Sequence, residues 1–253
     1  MSSEKTLVYL ILGTAGAGRR AIIADLIEGG LTESDRPAVM LSDAEAESPF
    51  DTTLPQVTRW HWTGEMMEAT FPTEATHLFF VTDGRTSPVD QIEVFKAWLL
   101  AQGGEIARVI CVVDCQLAAK HPPLLAWYDA CVHFSDIVLL NRREGVENKW
   151  LSEFQGHFKS LYIPALFEFV KSDRVKNPGL VLEPQARRMS HVFDEEQDWV
   201  FTDADGEEID EEEETEGDEE VEAKVAEDPY FERLNGGRRV KEIPDVRKFL
   251  DAS

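Results

Sequence analysis

The sequence predicts an α/β domain built on a mostly parallel sheet with helices on both faces. Three observations predict it. Residues 7–27 run from an apolar stretch through Gly13, Gly16 and Gly18 into a segment with apolar residues at 22, 23, 26 and 27, which is strand, loop, helix. Further apolar runs follow, separated by helical periodicity, and they are continuous rather than alternating, as expected of strands covered on both faces. Finally, Ser42, Asp43, Asp83, Asp114 and Asn141 fall at the carboxyl ends of those runs, where ligands sit in parallel sheets.

In chain order, residues 7–12 form the first strand and 21–27 the first helix. Residues 37–41 are a short strand leading to a polar loop, 57–62 a further strand and 65–70 a short helix. His77 to Val81 reads as a buried strand closed by Thr82-Asp83-Gly84. Apolar residues at 92, 95, 98 and 99 give a helix face over 89–102, which Gly103-Gly104 stops. Residues 107–113 and 136–140 are buried strands, 146–158 a helix and 161–163 a last short strand.

Charge divides the chain. The net charge is -24, and the block from Asp194 to Asp228 carries -19 of it, with 20 acidic residues against the single Lys224. Such density prevents burial, so 194–228 reads as a disordered acidic low-complexity tail that argues against a nucleic-acid partner. The divisions expected are a nucleotide-binding domain over 1–180, a linker over 181–193, the acidic segment, and a docking segment over 229–253. In that last piece Val246, Phe249 and Leu250 stand at helical spacing, suited to a protein partner or to the chain's own domain. Cys111, Cys115 and Cys131 lack metal or disulfide spacing and read as free thiols of a reducing compartment. No signal peptide and no membrane-length apolar stretch are visible, so a cytoplasmic location away from the membrane is expected.

The glycine loop fits two motifs. Gly13-x-x-x-x-Gly18 has phosphate-loop spacing, with Arg19-Arg20 where Lys-Ser/Thr is usual. Gly16-x-Gly18-x-x-Ala21 fits the dinucleotide fingerprint, with Asp43 as ribose ligand and an NAD(P)-binding enzyme as the outcome. In both, loop N–H groups and a helix N-terminus converge on phosphate. An empty glycine-rich turn has the same pattern.

Four segments taken together resemble the CobW, HypB and UreG type of P-loop GTPases, the metal-insertion chaperones. Residues 13–21 are similar to that family's Gly-x-x-Gly-x-Gly-Lys-Thr loop. Residues 81–88 match its Glu-Thr-Ser-Gly segment at Gly84 and Pro88, and 112–115 its Val-Val-Asp-Ala strand end. Residues 136–144 are similar to its base-recognition segment. The resemblance implies a P-loop NTPase-like fold and GTP or GDP as ligand. Gly13, Gly16, Ala17, Gly18, Arg19 and Arg20 would bind phosphate, and Asn141, Arg142 and Glu144 would bind guanine. Asp43 and Asp83 become the candidates for Mg²⁺, and Asp83 for a catalytic carboxylate.

The departures imply impaired hydrolysis. Arg20 stands where the family's Thr hydroxyl binds Mg²⁺, and Val81 where it has Glu. Trp60-His61-Trp62 replaces the Cys-x-Cys-Cys motif, so no zinc motif is present. The expectation is a pseudo-GTPase serving as a nucleotide-binding or scaffold module. An active GTPase in metal cofactor assembly is the alternative within the family.

Overall fold

The computed structural model describes residues 5–63, 66–194 and 228–250. Among them, a sheet of nine strands has the order β4-β3-β2-β5-β1-β6-β7-β8-β9. The strands are Leu7–Gly13 (β1), Pro37–Ser42 (β2), Val57–Trp62 (β3), Met67–Glu68 (β4), His77–Val81 (β5), Glu105–Asp114 (β6), Ile137–Asn141 (β7), Leu166–Lys171 (β8) and Arg174–Val175 (β9). β2, β3, β5, β1, β6, β7 and β8 pair in parallel, and β4 and β9 close the two edges as antiparallel hairpin partners.

Alternation along β1 builds both layers. Val8, Leu10 and Leu12 face a layer formed by Pro88–Gln102 (α2), Cys115–Lys120 (α3), Leu125–His133 (α4) and Asn148–Ser160 (α5). Tyr9 and Ile11 face Arg19–Gly30 (α1) and Pro178–Leu182 (α6). With both faces covered, every residue of β7 is buried, which is why its sequence reads as one unbroken apolar run.

Two expected elements are corrected. Residues 66–70 are not helical: Met67 and Glu68 pair with Trp62 and His61, and the turn is fixed by hydrogen bonds between Thr63 and Met66. Residues 161–163 are not a strand. Tyr162 has φ 56 and its side chain lies in solvent, because these residues unwind the end of α5, where Ile163 N–H donates to Phe158 O. The strand next to β7 is β8, which begins at Leu166.

Residues 181–193, expected as a linker, complete α6 and then strap the sheet at its amino-terminal edge. Tyr9 Oη donates to Leu182 O at 2.9 Å, and Arg108 Nε donates to Glu183 O. Asp136 accepts from Val109 N–H at 2.7 Å and from Arg187 N–H at 2.6 Å. The strap thus carries the chain to the opposite layer, where Val192 and Phe193 pack. Apart from its two end residues, the segment expected to be an acidic disordered tail lies outside the described residues. Its flanks meet: Asp228 Oδ2 accepts from Ser190 Oγ at 2.5 Å and pairs with His133 Nε2 at 2.9 Å. From there Tyr230, Phe231, Ile243 and Val246 pack on the α2–α4 layer, and Arg247–Leu250 (α7) ends the described chain.

Candidate functional site

β1 leaves the sheet through Gly13, whose φ is 131 and where a Cβ would lie 2.3 Å from Val112 O. Only glycine fits that approach. The chain turns at Ala17, whose N–H donates to Thr14 O at 3.2 Å, and enters α1 after Gly18 (φ 87). Gly18 is the N-cap and offers no side chain, the first turn holds no acid, and the first helical bond runs from Ile22 N–H to Gly18 O. The N–H groups of the opening turn therefore have no intrahelical partner and carry the positive end of the helix dipole.

The loop is braced from three sides. Fully buried Tyr128 lies beneath it, 3.4 Å from Thr14 Oγ1, and its hydroxyl accepts from Asp114 N–H at 3.1 Å. Gly84 lies against it, since Ala15 N–H donates to Gly84 O at 2.9 Å and a Cβ on Gly84 would meet Ala15 N at 2.4 Å. On the third side, Asn141 Nδ2 donates to Ala17 O and to Asp173 Oδ1, both at 3.0 Å. Both partners are acceptors, which fixes the amide orientation and uses both of its donors.

Arg19 and Arg20 are engaged by carboxylates from the β2–β3 loop. Buried Arg19 donates to Thr82 O and Asp83 O and pairs with Glu45 Oε1. Arg20 pairs with Glu45 Oε2 at 3.1 Å and donates to Ala46 O at 2.9 Å. Its Nε stands 3.2 Å from Asp51 Oδ1, a charge contact without hydrogen-bond alignment. The other Asp51 oxygen takes Arg59 at 2.7 Å. The result is an alternating row, Arg19–Glu45–Arg20–Asp51–Arg59, beside the loop.

The remaining candidates are dispersed. Arg142 (φ 50) is half exposed, 3.7 Å from Asp114 Oδ2, and Glu144 is exposed. Burial raises the Asp114 carboxyl above its ordinary range, against the Leu117 N–H that it caps and the charge of Arg142. The Asp83 carboxylate is consumed locally by Arg85 N–H, Thr86 N–H and the Thr86 hydroxyl. Asp43 turns to His61, with Oδ2 2.5 Å from Nδ1, and the hydrogen bond raises the His61 pKa. Arg20 has no oxygen to give a cation, the Asp83 carboxylate accepts three local hydrogen bonds, and among the described residues no three His, Cys, Asp or Glu side chains gather as a metal site.

Sequence reasoning missed Glu45, Asp51, Asp173 and Tyr128. Glu45 and Asp51 sit in a polar loop without periodicity, and Asp173 follows a strand whose position the sequence misplaces. Only Tyr128 had a signal, as one of two adjacent aromatics, Trp127 and Tyr128, in a mostly apolar stretch.

No family model matches the chain, and no curated protein matches it. Solved structures do. The fold is an α/β one, a mostly parallel sheet with a glycine loop leading from β1 into α1. It is similar to the hydrogenase maturation factor HypB from Archaeoglobus fulgidus, at 14% identity and a TM-score of 0.47 over 65% of this chain and 81% of that one. HypB from Helicobacter pylori in complex with nickel is similar at 13% and 0.46, over 69% and 81%. The Zn(II)-bound YjiA GTPase from E. coli is similar at 14% and 0.41, over 73% and 67%. With TM-scores below 0.5, the fold rests on this chain's own parallel strand order and glycine loop.

Proposed function

We propose that this chain is a guanine-nucleotide-binding module of the P-loop type that holds the nucleotide's phosphates through backbone N–H groups and hydrolyses GTP slowly or not at all. The observation that carries the reading is the uncapped start of α1, where the loop's glycines leave a turn of N–H groups with no acid of their own. Asn141, at the end of β7, reaches the same loop, which supports it as a contact for the base. Impaired hydrolysis is supported by Arg20 at the metal-ligand position, by buried Val81 at the carboxylate position, and by the local saturation of Asp83. The buried free thiols Cys111, Cys115 and Cys131 accord with a cytoplasmic protein. No helix among the described residues is long and apolar enough to cross a membrane. A protein partner would meet the C-terminal segment at its outward Leu234 and Val240.

The test is binding of GDP, GTP, ATP and NAD to the full chain by calorimetry, with and without chelator, followed by GTP turnover. Guanine nucleotides bind in preference to ATP and NAD, chelator leaves binding unchanged, and turnover is negligible. Equal competition by ATP, or Mg²⁺-dependent turnover, overturns the reading.

A further inference from the structure

We propose that Glu45 and Asp51 are the loop's own anions: they hold the guanidinium groups that a phosphate ligand requires, and binding exchanges one set of anions for the other. This rests on the phosphate-binding reading above and adds its regulation. Glu45 is the pivot, because one oxygen holds Arg19 and the other holds Arg20, so its departure takes a carboxylate from both cations flanking the start of α1, while Thr82 O, Asp83 O and Ala46 O keep them in place. Asp51 extends the hold from Arg20 to Arg59 and sits in a short 3-10 turn, Pro49–Thr52, capped by Ser48. Arg59 in turn donates to Ser42 O and Glu45 O, at 2.9 and 3.0 Å, which ties the acid-bearing loop back to β2.

Three cations share two carboxylates, so the row keeps one positive charge and is not self-neutralised. The arginine side chains in contact with Glu45 are only 3% and 13% exposed. An anion of the ligand that displaces Glu45 therefore gains poorly hydrated partners, where electrostatic contacts are strongest. The ligand class this selects is a di- or triphosphate, with enough oxygens to replace both carboxylates, rather than a single monophosphate.

Calorimetry of the full chain with inorganic pyrophosphate and with GDP tests the proposal, comparing the unaltered protein with Glu45→Gln, which keeps the side-chain shape and loses the charge. Glu45→Gln binds pyrophosphate about tenfold more tightly, and adding Arg19→Ala removes the gain. Equal or weaker binding by a folded Glu45→Gln, with the unaltered protein still binding, overturns the carboxylate hold and leaves the nucleotide reading standing. Should neither protein bind pyrophosphate or GDP, both fall. If Glu45→Gln does not fold, side-chain Nε–H resonances of Arg19 and Arg20 in the unaltered protein decide. A shift of both on adding pyrophosphate, with faster amide exchange over 43–52, supports the exchange of anions, and unmoved resonances overturn it.

Discussion

Asn141 shows how one side chain can be legible in place and illegible in role. Its position at a strand end follows from the apolar run before it, but its partners stand 124 and 32 positions away and leave no local pattern. Asn141→Ala removes a buried hydrogen bond to Ala17 O and a half-buried one to the exposed Asp173. A loss of about 1–3 kcal/mol in urea denaturation is expected, together with loss of any guanine preference. The same limit hid Glu45, 26 positions beyond Arg19, because ion pairs carry no periodicity. His61 offers a separate check. Its hydrogen bond to Asp43 raises its pKa, so the protonated pair is fully present below about 6.5 and is lost as pH rises through the raised value. Titration of the imidazole by NMR should end higher in the unaltered protein than in Asp43→Asn.

Elements were legible where burial alone decided them. β1, β2, β5, β6 and β7 announce themselves because a strand covered on both sides has few polar positions to interrupt it, whereas β3, with only Trp60 buried, is marked by its Val and Trp residues. Where backbone geometry decided, the sequence misled. The apolar triplet 161–163 has the composition of a strand, yet serves to unwind α5. α3 and α4 escaped notice because they are short and broken by Pro122, with Asp114 capping the first. Close approach between elements is the feature most sensitive to substitution. At Gly84 (φ 66) an added methyl meets backbone of residues 13–15 rather than a movable side chain. Gly84→Ala is therefore expected to cost about 1–3 kcal/mol and to weaken pyrophosphate binding by shifting the loop, measured by denaturation and calorimetry on the same sample. Gly145→Ala, with nothing within 4 Å, controls for positive φ without the collision.

Across the whole molecule, the strap and the C-terminal segment meet at Asp228. Burial alone would raise this carboxyl, but hydrogen bonds from His133, Ser190 and Tyr230 N–H outweigh it and lower the pKa. A depressed acid stabilises the fold above its unfolded value of about 3.9 and loses that contribution as pH falls through the folded value. Asp228→Asn should therefore lower stability above about pH 4 and flatten the acid limb, the two proteins converging as pH falls through the folded value. The contact has a second consequence. Since Ser190 and Asp228 touch, the described segments on either side of residues 195–227 meet at the strap. Replacing 195–227 with a brief glycine-serine bridge joins two segments already in contact, and the melting temperature is expected to stay nearly unchanged. What would move is the isoelectric point: -17 of the -24 leaves with residues 195–227, and a mildly acidic molecule of net charge -7 remains.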